Sequence, residues 1–388
     1  GVTGHSAGGN AAVRGAAYFG RRAVKDGKPS VLQAIYVSGY VLSFTDNVLK
    51  DVRSNVGTAY AYYDEGAYRN ELKNGDMRRA PEALRLVNSG LEPGAAPLEE
   101  VVLGQHYGDA AKRTLRVVHN ERVLHPFQPY MVEATANQID FFERVFGIKS
   151  GLSSRDQIWY WKELLGLLSL AASLVGLVPL AQLLLRTPLF LPLVHPLPGA
   201  LPRPQGRGRL LFWTLFGLGA AIACFTYIPL SELSQRLFVA AANREPTWFF
   251  PQRMNNAVML WAVLNGVVGF VLFFASYRFH GKQNGVRPHM WGARIGASEL
   301  LRTGALALVL FLAYYSLLFT IYSILHVDYR FLFMGVRVFQ PEMLVLLGMY
   351  VPFFLVFFLS NSFRVNGSMR FEGAAEWKSM LLGGVANS

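Results

Sequence analysis

Five long apolar stretches in the second half of the chain restrict its fold more than any other sequence feature. They cover residues 163–185, 210–230, 257–277, 304–325 and 343–360, and each approaches the roughly 20 residues that a helix needs to cross a bilayer. The last four contain no Asp, Glu, Lys or Arg between these limits. Trp159 and Trp161 precede the first stretch, as in the aromatic belt at a membrane interface. We therefore predict that residues 158–388 form an all-α transmembrane domain of about five helices.

The charge balance changes near residue 157, together with the composition. Residues 1–157 carry 19 Lys and Arg against 17 Asp and Glu, whereas residues 158–388 carry 18 against 8, within a net charge of +12. The basic excess lies mainly in the loops between apolar stretches, which is typical of membrane topology signals and argues against a nucleic-acid partner. The single cysteine, Cys224, excludes an intrachain disulfide and a cysteine-based zinc site. We expect neither a metal nor a cofactor.

The same basic residues predict an orientation in the membrane. The loops after the first and third stretches are the most basic, with Arg186, Arg203, Arg207 and Arg209 in one and Arg278, Lys282, Arg287, Arg294 and Arg302 in the other. The positive-inside rule places these two loops in the cytoplasm. We predict an integral protein of a bacterial cell membrane, with residues 1–157 on the extracytoplasmic side.

Residues 1–157 read as an α/β domain. Apolar runs bounded by turn residues at 32–38, 56–63 and 114–118 suit strands, and residues 10–25 and 132–146 have helical spacing. Strands that alternate with helices indicate a parallel sheet with helices on its faces.

The opening residues Gly4-His5-Ser6-Ala7-Gly8 match the pattern Gly-x-Ser-x-Gly. In α/β-hydrolases this pattern forms a tight strand-to-helix turn that exposes a nucleophilic serine. An acid after a strand (Asp64) and a histidine before a closing helix (His125) follow in the order Ser…Asp…His of that superfamily. The chain resembles the bacterial membrane-attached hydrolases that carry transmembrane helices after the catalytic domain.

The resemblance implies a role for each matching residue. Ser6 is the nucleophile, the Ala7 N–H donates to the oxyanion, Asp64 is the acid and His125 the general base. Among the acids, Glu65 is the alternative to Asp64, and Asp46 and Asp109 fit less well. His119, at the end of a predicted strand, competes with His125; His5 and His106 are interpreted as structural.

The hydrolase domains that the chain resembles have several strands and a second oxyanion donor before the serine turn. Only three residues precede Gly4 here, so we expect a partial hydrolase sheet and a chain that continues upstream. The final residues resemble the beginning of another apolar stretch.

Three functions remain open at the level of sequence. The first is a membrane-anchored serine hydrolase that cleaves an ester, thioester or amide, with a small-molecule or lipid-like acyl substrate because the anchor would keep the site near the bilayer. The second is a degenerate, non-catalytic hydrolase domain that only binds. The third is a permease with an accessory domain, which the uncharged stretches disfavour because transport sites use ionisable residues at membrane depth.

Overall fold

The computed structural model describes residues 1–292 and 295–387. It consists of two compact units, Gly1–Leu165 and Gly166–Ser388. The first unit holds β1 (Val2–His5), α1 (Ala7–Asp26), β2 (Ala34–Ser38), α2 (Asp46–Leu49), β3 (Asn55–Ala61), α3 (Pro81–Asn88), β4 (His106–Tyr107), β5 (Arg116–Glu121) and α4 (Val132–Phe146). The division between the units falls within α5 (Trp159–Leu185).

A small mixed sheet organises the first unit. Its strand order is β1-β2-β3-β5-β4; the first four strands are parallel, and β4 runs antiparallel to β5. The parallel pairing of β2, β3 and β5 agrees with the sequence prediction, whereas β1 was not among the predicted strands. The antiparallel edge strand was not predicted, since two residues carry no periodic signal.

The central strands β2 and β3 are buried along almost their whole length, and apolar side chains cover both faces of the sheet. Ile35 and Val37 of β2 pack in one cluster with Val13 of α1. Tyr36, between them in sequence, packs on the other face with Phe141 of α4. With both faces covered, the carboxyl ends of the parallel strands form an edge where polar side chains can gather.

The second unit contains the remaining long helices. They are α6 (Arg207–Leu237), α8 (Arg253–Phe279), α9 (Ala297–Leu325) and α10 (Glu342–Ser368), with the short α7 (Val239–Asn243), the hairpin β6 (Tyr329–Phe331) and β7 (Met334–Val336), and α11 (Glu376–Asn387). With α5, five described helices are long and apolar enough to cross a membrane. The chain is an integral membrane protein by this measure, as predicted.

The helices extend beyond the apolar stretches. Arg207 and Arg209 lie in the first turns of α6, and Arg302 lies near the start of α9. The α10 helix continues to Ser368 and therefore contains Arg364, which the predicted limit at residue 360 left out. Of the predicted topology residues, Arg294 lies outside the described residues.

Candidate active site

The turn at Ser6 joins β1 directly to α1. Ser6 has φ 56° and ψ −118°, in the half of backbone space that residues with a Cβ rarely enter and that costs about 1–3 kcal/mol. Its N–H donates to Ser38 O at the end of β2, 2.8 Å away. The strained turn is thus fixed to the neighbouring strand, and Ser6 stands at the carboxyl end of β1.

Glycines allow strand and helix to approach across this turn. A Cβ at Gly4 would lie 2.2 Å from the carbonyl carbon of Gly8, and a Cβ at Gly9 would lie 2.9 Å from a methyl group of Val37. A Cβ at Gly8 would meet nothing within 4 Å. The steric need for glycine therefore falls on Gly4 and Gly9 and not on Gly8, the second glycine of the pattern.

Helix α1 begins at Ala7, one residue after the turn. The first N–H groups of a helix have no acceptor within the helix, and its N-terminus carries partial positive charge. The Ala7 N–H is therefore one of the free donors beside Ser6.

Asp64 and His125 come together although they are 61 positions apart. His125 Nδ1 and Asp64 Oδ2 are 2.7 Å apart, with the aspartate side chain 5% and the histidine side chain 20% exposed. Asp64 Oδ1 also accepts the Gly66 N–H at 2.6 Å. Because the carboxylate accepts the proton at Nδ1, the neutral imidazole presents Nε2 as its free base.

The electrostatics of this pair follow from that hydrogen bond. The bond to Asp64 raises the pKa of His125 above its ordinary value, against the opposing effect of burial. For Asp64, burial is the largest influence and disfavours the charge, but the hydrogen bonds from His125 and Gly66 together hold its pKa below the ordinary value. The aspartate is therefore ionised at neutral pH and stabilises a protonated His125.

His5 links the pair to the serine turn. Its ring centroid lies 4.5 Å from that of His125, and a Cβ at Gly39, after β2, would lie 2.9 Å from both rings. Gly39 has φ 62°, so glycine both allows this backbone conformation and leaves space for the two imidazoles. Burial, and then the proximity of His125, lower the pKa of His5 to about 4. His5 is thus a neutral packing partner beside the residue that precedes the serine.

The serine hydroxyl itself is not joined to the histidine by a hydrogen bond. Among the described residues, Ser6 Oγ has no hydrogen-bond partner, and the Ser6 side chain is partly exposed. In enzymes without substrate this contact is often long and shortens on binding. The structure therefore pairs Asp64 with His125 and places His125 beside His5, which precedes Ser6. It shows no hydrogen bond between His125 and the Ser6 hydroxyl.

The competing histidine, His119, lies inside β5 rather than at its end. Its Nδ1 is 3.1 Å from the hydroxyl of Tyr36, on the face of the sheet that α4 covers. Burial, followed by the charge of His106, lowers the pKa of His119 to about 4. His119 is held by Tyr36 and has no carboxylate partner in the described part of the chain.

None of the alternative acids forms an ion pair with a histidine among the described residues, although the charge of Glu65 contributes to the raised pKa of His125. Glu65, Asp46 and Asp109 are all exposed. Asp109 Oδ1 accepts the Ala111 N–H at 2.7 Å, which makes it a turn residue. No group of three or more His, Cys, Asp or Glu among the described residues is placed to hold a metal ion.

A buried network that the sequence did not reveal supports His125. The Glu121 carboxylate, at the end of β5, accepts hydrogen bonds from Gln128 Nε2 at 2.9 Å and Asn137 Nδ2 at 3.0 Å. Gln128 belongs to the short 3₁₀ segment His125–Tyr130, and Asn137 belongs to α4. Burial raises the pKa of Glu121. Glu121 thus fastens the segment that begins with His125 to the sheet and to α4.

Comparison of the chain with protein-family models, curated proteins and solved structures finds no match.

Proposed function

We propose that the first unit is a serine hydrolase that works through an acyl-enzyme. The observation that carries the proposal is the Asp64–His125 pair, 2.7 Å apart, at the sheet edge where Ser6 occupies a strained strand-to-helix turn. An aspartate-paired imidazole next to a turn of this kind suits nucleophilic catalysis, because serine reacts only when a base takes its proton.

The roles follow from the atoms available. Ser6 Oγ attacks an acyl carbonyl while His125 Nε2 accepts the hydroxyl proton. Asp64 holds Nδ1 and stabilises the imidazolium, and the Ala7 N–H donates to the oxygen that becomes negative. His125 then protonates the leaving group, and the same steps with water release the acid. The alternative is a degenerate hydrolase domain that only binds. Such a domain would have the same fold, but its Ser6 would not react.

The proposed substrate is an ester, thioester or amide with a lipid-like acyl group. Support comes from the five helices of the same chain that are long and apolar enough to cross a bilayer. A site tethered in this way meets membrane-dissolved substrates at high local concentration.

A fluorophosphonate probe tests the nucleophile on the full-length protein in detergent. Such probes phosphonylate activated serines with loss of fluoride, so mass spectrometry should find the adduct on Ser6. Ser6→Ala should remove both labelling and ester hydrolysis while the protein stays folded. Ser153→Ala, an exposed serine of the same unit, is the matched control and should label normally. A well-folded protein that does not label would favour the non-catalytic binding domain.

The two histidines provide a second test of the same proposal. His125→Ala should abolish hydrolysis, since it removes the base, whereas His119→Ala should leave a folded and partly active protein. The reverse result would assign the base to His119.

We also propose that the first unit lies on the extracytoplasmic side of a bacterial cell membrane. The basic residues of the loops after α5 and α8 support this orientation. A periplasmic reporter fused after Ser154 should be active, and one fused near Gln205 should be inactive. The opposite pattern would reverse the orientation.

A further inference from the structure

A cavity of about 540 Å³ lies within the second unit between α6, α8 and α10, and Val385 of α11 also lines it. This size falls in the range of small-molecule sites, which is about 300–1,000 Å³. Small residues create the space on the α6 side, where Gly219, Ala220 and Ala223 face it. Elsewhere the helices close tightly: a Cβ at Gly266 of α8 would lie 2.9 Å from the backbone of Phe357 in α10.

The cavity is long, and most of its wall is apolar. Its lining along α8 runs from Val258 to Leu272, about 21 Å on a helix that rises 1.5 Å per residue. Trp261 forms part of the wall and is fixed by a hydrogen bond from its indole N–H to Ala223 O at 2.8 Å. A space of this shape accommodates one extended acyl chain.

Arg364 and Asn361 of α10 line one end of the cavity, three positions apart and therefore on the same face of the helix. A Cβ at Gly269 of α8 would lie 3.5 Å from Arg364 Cδ, which places Arg364 toward the Leu272 end of the α8 lining. The other polar lining residues include Asn265 and Tyr227, which are uncharged. Arg364 is partly buried, and no described carboxylate forms an ion pair with it. Arg364 lies beyond the apolar stretch 343–360, near the end of α10, where an arginine can reach the membrane interface. It therefore offers a ligand a positive charge at the end of an apolar wall.

We propose that this cavity binds a long-chain fatty-acid anion, with its carboxylate on Arg364 and its chain along α6 and α8. The planar guanidinium matches a carboxylate with two parallel hydrogen bonds, and the Asn361 amide is placed to donate as well. Arg364 is the one cation among the lining residues, so it neutralises a monoanion but leaves part of a phosphate monoester's charge unpaired. This inference is independent of the hydrolase proposal.

The single cysteine of the chain provides a direct readout. Cys224 lines the same cavity and is accessible, so an occupant should shield it from alkylation by N-ethylmaleimide. In the detergent-solubilised full-length protein, oleate should slow alkylation, whereas oleyl alcohol, which has the same chain without charge, should protect only at much higher concentration.

The variants separate charge from packing. Arg364→Gln should weaken protection by oleate about 10- to 100-fold, the value of a charge-assisted hydrogen-bonded pair, and Arg364→Lys should keep part of it. Arg278→Gln, an exposed arginine of α8 outside the cavity, is the matched control and should behave as the wild type. Equal alkylation rates of all variants without oleate would show that Arg364→Gln leaves the fold intact; should that variant misfold, Asn361→Asp, which places a carboxylate one turn from Arg364, should weaken oleate protection instead.

Three results would overturn the proposal. Equal protection by oleate and oleyl alcohol would mean that the cavity selects only the chain. Absence of protection by either would mean that neither occupies it. Stronger protection by a lysophosphatidic acid than by oleate would assign the site to a lipid phosphate instead.

Discussion

The two units differ in where their apolar side chains lie and in how far their structure depends on individual side-chain contacts. In the sheet unit, Ile35 and Tyr36 are fully buried, and polar groups meet at one strand edge. In the helical unit, apolar side chains cover the outside. In α9, for example, only 6% of an apolar 18-residue segment is buried within the protein. The fold of the sheet unit therefore depends on specific contacts between side chains, whereas the apolar helices follow from composition and length alone.

The largest effect should come from replacing one carboxylate of the sheet unit by an amide. Asp64→Asn leaves the shape of the site but loses the carboxylate that orients His125, so kcat should fall about 10⁴-fold. Hydrolysis of a chromogenic ester measures this. Asp109→Asn, in an exposed turn, should leave kcat unchanged. A similar small effect of both changes would refute the role of Asp64.

A matched pair of arginine substitutions contrasts the surroundings of the two units. Leu312 in α9 and Tyr18 in α1 have nearly equal exposures of 51% and 53%. Because the exposed face of Leu312 meets lipid, Leu312→Arg should cost about 3–4 kcal/mol of membrane insertion, since the favourable contribution of Leu is lost as well. Tyr18→Arg should change stability by less than about 0.5 kcal/mol, because its face meets water. Glycosylation-reporter insertion measures the first and thermal unfolding the second; equal tolerance at both positions would contradict the comparison.

The glycine turn predicts a smaller, local effect. Gly4→Ala should destabilise the sheet unit by about 1–3 kcal/mol, because its Cβ would overlap the backbone of Gly8. Gly8→Ala meets open space and should be neutral or slightly stabilising. Thermal unfolding and fluorophosphonate labelling measure the two variants, and a Gly8 variant as damaged as the Gly4 variant would refute this geometry.

The pH profile should show the smallest effect. The bond to Asp64 raises the pKa of His125 above 6.5, so the base keeps its proton to higher pH, and kcat/KM should rise with pH through a midpoint above that value. His119→Gln should not move the midpoint, since His119 stands apart from Asp64. A midpoint well below 6.5 would mean that burial, rather than the carboxylate, dominates at His125.

The sequence predicted those elements whose signal lies within one segment. The five apolar helices and α4 could be recognised because length, hydropathy and helical spacing are local properties. The prediction for β5, residues 114–118, began two residues early and ended three residues early. The missed end, His119 to Glu121, is polar and therefore lacks the apolar strand pattern. The proximity of His125 to Asp64 could be proposed only from motif order, because two loops decide it.

Other features could not be predicted at all. The Glu121 network joins a strand, a 3₁₀ segment and a helix, and no residue spacing in the sequence predicts such contacts. The cavity beside Arg364 depends on how three helices pack, whereas hydropathy describes each helix alone. Arg364 was missed because the apolar stretch ends before the helix does.

The backbone of Ser6 has a consequence for the evolution of this chain. A residue with φ 56° and ψ −118° is held where glycine would be less strained, so Ser6→Gly should yield a protein that unfolds at a higher temperature. Under the proposed function it should also lose its reactivity. Stability and reactivity then oppose each other at a single position. A lineage that lost the need for the reaction would gain by drifting to glycine there, and the residue at position 6 in related chains would record whether the chemistry was still in use.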